Sequence, residues 1–115
     1  MSNDKRPNDY FDAKNYWDCR YYKGRSSGDG SKGELAIYKS SFINSFVKKH
    51  NVNSVIEFGC GDGSQLSLGC YPYYIGYDIS PNAITICKRK FPNDQKKTFV
   101  YMMTTTVKEL IFLYR

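Results

Sequence analysis

The sequence predicts an α/β fold, a parallel sheet with flanking helices, and three observations predict it. The stretch Ser54-Val-Ile-Glu-Phe-Gly-Cys-Gly-Asp-Gly63 is a short apolar run that breaks into glycines at alternate positions, 59, 61 and 63. It reads as a buried parallel strand entering a tight loop where a ligand touches backbone. A second run, Tyr73-Tyr-Ile-Gly-Tyr77, ends in Asp78, and Ser80-Pro81 then opens a helix, Ser as N-cap and Pro at the first helical position. Strands that alternate with helices need crossover connections, and crossovers make neighbouring strands parallel.

The remaining elements follow in order. Residues 1–9 are polar, and a disordered start is expected. Residues 10–22 are dense in aromatics (Tyr10, Phe11, Tyr16, Trp17, Tyr21, Tyr22), which either pack on the body of the domain or roof a ligand pocket. Lys23 to Gly33 holds four glycines and three serines, and is either a linker or a loop that wraps a ligand. Ser31 and Glu34 have capping-box spacing. A helix follows over about 33–50, with Leu35, Tyr38, Phe42 and Phe46 near one face and Ile43 and Val47 beside it. Lys48, Lys49 and His50 close it, where cations suit the carbonyl end of the dipole.

After the strand at 54–58 and its loop, Ser64 to Gly69 leaves room for one or two helical turns. The helix opened by Ser80 runs to about Phe91 and stops at Pro92, with Ala83, Ile84 and Cys87 on its apolar face. A third strand is expected at Thr98–Met102, and Val107 to Tyr114 reads as either a short helix or a strand. Two segments result: an aromatic, Gly/Ser-rich stretch over 1–33 and a nucleotide-binding type of domain over 34–115.

Bulk properties narrow the classes. The chain has 115 residues, a formal charge of +6, eleven Tyr and seven Phe. That length is one domain at most. No run approaches a membrane span and the N-terminus has no apolar signal core, so a cytoplasmic location and no membrane partner are expected. Cys19, Cys60, Cys70 and Cys87 lack the two-residue gap of a zinc knuckle or redox motif, which points to reduced, mostly buried thiols and no metal site. The densest basic cluster, Lys88-Arg89-Lys90 with Lys96-Lys97, is either a solvated face or a nucleic-acid contact. No aromatic platform is interleaved with it.

The loop itself carries the chemistry. Asp78 lies nineteen residues after Gly59, at the end of the second strand, where an acid takes two ribose hydroxyls. Glu57 and Asp62 separate the possible ligands. Two carboxylates at the loop oppose a pyrophosphate and favour a cation. Ser64 stands where the dinucleotide fingerprint has its third glycine, and no Gly-Lys-Ser/Thr is present. A nucleoside with a positively charged tail satisfies all of this, and S-adenosyl-L-methionine is such a ligand.

Val55 to Gly63 and Tyr74-Ile-Gly-Tyr-Asp-Ile-Ser80 resemble the first two motifs of class I S-adenosylmethionine-dependent methyltransferases. Tyr21 to Ser31 is similar to an N-terminal loop in one small-molecule or saccharide-associated branch. The resemblance covers roughly residues 17–100 and implies a Rossmann-like sheet. It implies that Gly59, Gly61 and Gly63 line the methionine part of the cofactor and that Glu57 acts on its ammonium. Asp78 would hold the ribose, Ile79 would pack on adenine, and Tyr22, Gly24 and Ser27 would close over the site.

The family's sheet has seven strands, with the cofactor between the first and the fourth. This chain supplies three readable strands, so the fold is expected to be incomplete relative to the family. The third strand ends in Tyr101-Met-Met-Thr104, with no acid for adenine. A change of composition near Met102 suggests a truncated methyltransferase, through a frameshift or early stop. The strand at 54–58 would then lie at an open edge, which the tail covers or which drives homo- or hetero-association. No catalytic base can be named, Tyr22 being at most a weak candidate. The rival functions are a non-catalytic or partner-completed S-adenosylmethionine-binding module and a basic nucleic-acid-binding domain.

Overall fold

In a computed structural model, residues 13–24, 33–103 and 110–114 are described; the side chains of residues 13, 17 and 110 are not. The elements are α1 (Ala13–Tyr22), α2 (Gly33–Lys49), β1 (Ser54–Phe58), β2 (Tyr73–Asp78), α3 (Pro81–Lys90), β3 (Lys97–Tyr101) and β4 (Leu110–Tyr114), with a single 3₁₀ turn at Leu66–Leu68. The strands form one Rossmann-like α/β sheet in the order β3-β2-β1-β4. β1, β2 and β3 are parallel.

The tail is the strand of its two expected alternatives, and it runs antiparallel to β1, Val55 opposite Leu113 and Glu57 opposite Ile111. The sheet is therefore mixed rather than wholly parallel. β4 also removes β1 from the edge. Association through an exposed β1 edge loses its physical reason, because the tail fills that edge.

Alternation sorts the strand residues onto two faces. Val55, Glu57, Tyr74, Gly76, Asp78 and Phe99 are buried on one. Val47 of α2 and Ile84 and Cys87 of α3 join Val55, Tyr74 and Phe99 in the core, with Ile111 and Leu113 of β4 against it. The other face is more open. Phe58 stacks on Tyr77 at 5.1 Å and meets Phe112 edge-on at 5.8 Å, while Val100, Phe112 and Tyr114 are exposed.

α3 begins as its sequence predicts. Ser80 is the N-cap and its Oγ accepts from the Ala83 amide at 3.1 Å; Pro81 follows at the first position. α2 has the expected span but turns a different side inward. Ala36, Ser40 and Val47 are buried, whereas Tyr38 is 72% and Phe42 67% exposed. Gln65 explains the choice: its Nε2 donates to Ala36 O at 3.0 Å and to Ser40 Oγ at 2.5 Å. Asn44 adds two more ties, donating to Leu68 O and accepting from the Cys70 amide. Small and polar residues let α2 approach the 3₁₀ turn; among the described residues the aromatic stripe has no such partner.

α1 packs on α3. Tyr21 is buried, Tyr16 is exposed, and Trp17 lies outside the described side chains. Ser31 of the expected capping box lies outside the described residues, as does the expected disordered start. His50 lies just past the end of α2, half-buried against the Phe46 ring, centroids 4.3 Å apart. Cys60 and Cys87 are buried, while Cys19 and Cys70 are exposed, so half rather than most of the thiols are inside.

Candidate functional site

The carboxyl ends of β1 and β2 bring the predicted loop and the predicted acid together. Gly59, Gly61 and Gly63 have φ of 83°, 60° and 80°, in the left-handed region that side chains rarely adopt. Alternate glycines are thus a conformational requirement of this turn. At Gly63 space is short as well: a Cβ would lie 3.1 Å from Phe91 Cε2 and 3.3 Å from Cys87 Sγ.

The loop is held from three sides. The amides of Gly59 and Cys60 donate to Tyr77 O at 2.7 and 3.0 Å, continuing the ladder of β2 past the end of β1. The Gly61 amide donates to Asp78 Oδ2 at 2.9 Å, and the Ser80 amide to Oδ1 at 2.9 Å. From α3, Cys87 Sγ donates to Gly61 O at 3.1 Å and Lys90 Nζ to Asp62 O at 2.9 Å. Asp62 Oδ1 accepts from the Ser64 amide at 2.9 Å, which turns the chain out of the loop.

Two carboxylates flank this turn from within the protein. Glu57 is 5% exposed on β1 and Asp78 6% exposed at the end of β2. Burial pushes the Asp78 carboxyl above its usual range, against the amides of Ser80, Gly61 and Ile79, which favour its charged form. Glu57 Oε1 accepts from Tyr74 Oη at 2.5 Å. Burial and the nearby Glu57 charge raise the phenols around it, Tyr71 to about 12, so both stay protonated donors at neutral pH. Contact with Cys87 and burial likewise raise Cys60, leaving it a thiol. Gln65 Oε1, two residues beyond Gly63, is buried without a hydrogen-bond partner among the described residues.

Seven predicted residues therefore converge: Glu57, Gly59, Gly61, Asp62, Gly63, Asp78 and the buried Ile79. Tyr22 is elsewhere in character, 78% exposed at the end of α1. Gly24, just beyond it, has φ +76°, and among the described residues nothing lies within 4 Å of where a Cβ would stand. Ser27 lies outside the described residues.

Four contributors were not foreseen. Tyr74 reaches Glu57, while Cys87 and Lys90 brace the loop from one side of α3, three residues apart. Asp18 of α1 accepts at Oδ1 from Ser80 Oγ at 2.6 Å and from the Asn82 amide at 2.9 Å, which fastens α1 to the start of α3. Their sequence signals were faint: a helical spacing of three at Cys87 and Lys90, and a spacing of two between Tyr74 and Gly76.

Comparison with known proteins agrees on architecture. No family model matches the chain, and no curated protein matches it. Among solved structures, a SAM-dependent methyltransferase from Anabaena variabilis superposes with a TM-score of 0.50 at 17% identity, over 89% of this chain and 43% of its own. The plantazolicin methyltransferase BamL, solved with a triazolic desmethyl-plantazolicin analogue and SAH, gives 0.47 at 22% identity, over 76% of this chain and 32% of its own. A Thermoplasma acidophilum protein, 1320, gives 0.40 at 20%, over 80% and 47%. The Anabaena likeness shows a methyltransferase-like fold, and this chain spans less than half of that protein's length. Among the described residues, no helix is long and apolar enough to cross a membrane.

Proposed function

We propose that the loop binds S-adenosyl-L-methionine, as in class I methyltransferases. One observation carries the reading: two buried carboxylates, Glu57 and Asp78, flank a turn of left-handed glycines at the carboxyl ends of adjacent parallel strands. Buried acids at a backbone cradle suit a ligand with donors and positive charge, and disfavour phosphate. Asp78 is already fixed by two amides, one to each oxygen. Each oxygen keeps acceptor capacity for one ribose hydroxyl. Glu57 supplies the charge for the ligand's ammonium, and the glycines let backbone approach the methionine chain. Ile79 offers an apolar surface beside Asp78 for the base.

When bound, S-adenosylmethionine supplies an electrophilic methyl on its sulfonium. The chain's own contribution is positioning: it fixes the ribose and the ammonium, and so the direction in which the methyl points. The basic-cluster alternative is weakened by the geometry. Lys97 pairs with Asp94 at 2.7 Å, and Lys90 is engaged with the loop, so two of the five cations already have partners within the chain.

Calorimetry tests the reading. The wild type should bind S-adenosylmethionine, and Asp78→Ala should weaken it by about 2–3 kcal/mol through loss of charge-assisted hydrogen bonds. Absence of wild-type binding rejects the proposal. Radiolabelled methyl transfer into a cell extract then separates an enzyme from a module that only binds.

A further inference from the structure

We propose that Tyr74 is a positioning residue for Glu57, and through it sets the site's preference for ligands that carry a cationic amino-acid tail. The inference rests on the S-adenosylmethionine reading and adds to it the residue that orients the acid.

The geometry begins with register. Glu57 on β1 is paired with Gly76 on β2, and Tyr74, two residues before Gly76, shares its face. A Cβ at Gly76 would lie 2.9 Å from both Cε1 and Oη of Tyr74. The tyrosine therefore lies along its own strand, over Gly76, in the space that any other residue would fill. Its hydroxyl arrives at Glu57 Oε1, 2.5 Å away. The ring is fixed in that pose. It stacks on Tyr71 with centroids 5.9 Å apart, tilts against Phe99 at 6.1 Å, and is 2% exposed.

Two effects follow. The hydrogen bond holds the Glu57 carboxylate in one orientation, so a ligand cation meets a preorganised charge rather than one it must order. A phenol that donates to a carboxylate also favours its charged form. Both effects act on the ligand's ammonium and neither acts on its adenosine. A residue that merely fills the core would weaken every ligand alike.

Calorimetry with two probes separates these cases. S-adenosylhomocysteine carries the amino-acid tail; 5′-methylthioadenosine keeps the adenosine and sulfur and lacks the tail. Tyr74→Phe, which keeps the ring, should weaken S-adenosylhomocysteine about tenfold and leave 5′-methylthioadenosine within twofold. Glu57→Gln should weaken the same ligand, and adding Tyr74→Phe to it should cost nothing more. Equal weakening of both probes, no weakening of either, or multiplying effects in the double variant would overturn the inference. In the wild type, the buried Tyr74 hydroxyl proton is a second reporter by NMR. Its resonance should shift on adding S-adenosylhomocysteine and not on adding 5′-methylthioadenosine; equal shifts would overturn the inference without any variant. If the wild type binds neither probe, the S-adenosylmethionine reading itself fails.

Discussion

Gly63 and Gly76 are both required, for different physical reasons, and the difference is measurable. Gly63 combines φ +80° with a Cβ position 3.1 Å from the Phe91 ring. Gly76 has ordinary strand geometry, but a Cβ there would sit 2.9 Å from Cys60 Cβ and from the Tyr74 ring. Gly24 has φ +76° and no described atom within 4 Å of its Cβ position. Alanine at Gly24 should therefore cost about 1 kcal/mol, from backbone strain alone. Alanine at Gly63 should cost more, about 2–4 kcal/mol, because overpacking adds to strain. Gly76→Ala should cost about 1–3 kcal/mol from overpacking alone. Urea midpoints of the three variants check the order, and equal losses at Gly24 and Gly63 would contradict it. The alternating glycines and Asp78 were legible in the sequence, because a strand followed by residues without side chains has few readings. The role of Gly76 was not, because strand register is invisible until two distant segments pair.

At the scale of elements, caps were readable and facing was not. Ser80-Pro81 marks the start of α3 through local chemistry, and that start is where it lies. Periodicity in α2 gathers Leu35, Tyr38, Phe42 and Phe46 onto one stripe, yet this stripe is exposed. A period says which residues share a face and not which face meets a neighbour; Gln65, twenty-nine residues beyond Ala36, decides that. The tie between α1 and α3 is also nonlocal, and it makes a pH-dependent latch. Burial raises the Asp18 carboxyl, but hydrogen bonds from Ser80 and Asn82, with the nearby Lys14 charge, outweigh it and hold the group below its usual range. A carboxyl depressed in the folded state adds stability above its unfolded value of about 4, and that stability is lost as pH falls through the folded value. Amide exchange in α1 should therefore be slow and flat between pH 5 and 7, after correction for intrinsic rates, and should speed up as pH falls below about 4. Asp18→Asn should weaken docking already at neutral pH, by about 1 kcal/mol, as expected for loss of a capping carboxylate, and flatten the acid response. An acid response unchanged in the variant would assign it to another group.

The whole molecule depends on a strand that local pattern left ambiguous. β4 pairs with β1 across more than fifty positions of sequence, so its partner was not readable from Val107 to Tyr114 alone. The pairing matters because β1 is the strand that carries Glu57 and enters the glycine loop. Ile111 and Leu113 lie opposite Glu57 and Val55, and both pack against the core. Removing them would uncover the backbone edge of β1 and the buried side of its residues together. An uncovered apolar edge is a template for pairing with another chain. The face behind β1 is already rich in half-buried and exposed aromatics, among them Phe58 and Tyr77. A net charge of +6 opposes close approach of two copies only at low salt, since repulsion is screened over about 10 Å at 0.1 M. Ending the chain after Met103 should therefore accelerate amide exchange at Val55, Ile56 and Glu57 by at least tenfold. It should also produce concentration-dependent light scattering that grows with ionic strength. A shortened chain that stays monomeric at high salt, with β1 still protected, would show that α2 and α3 hold β1 without its antiparallel neighbour.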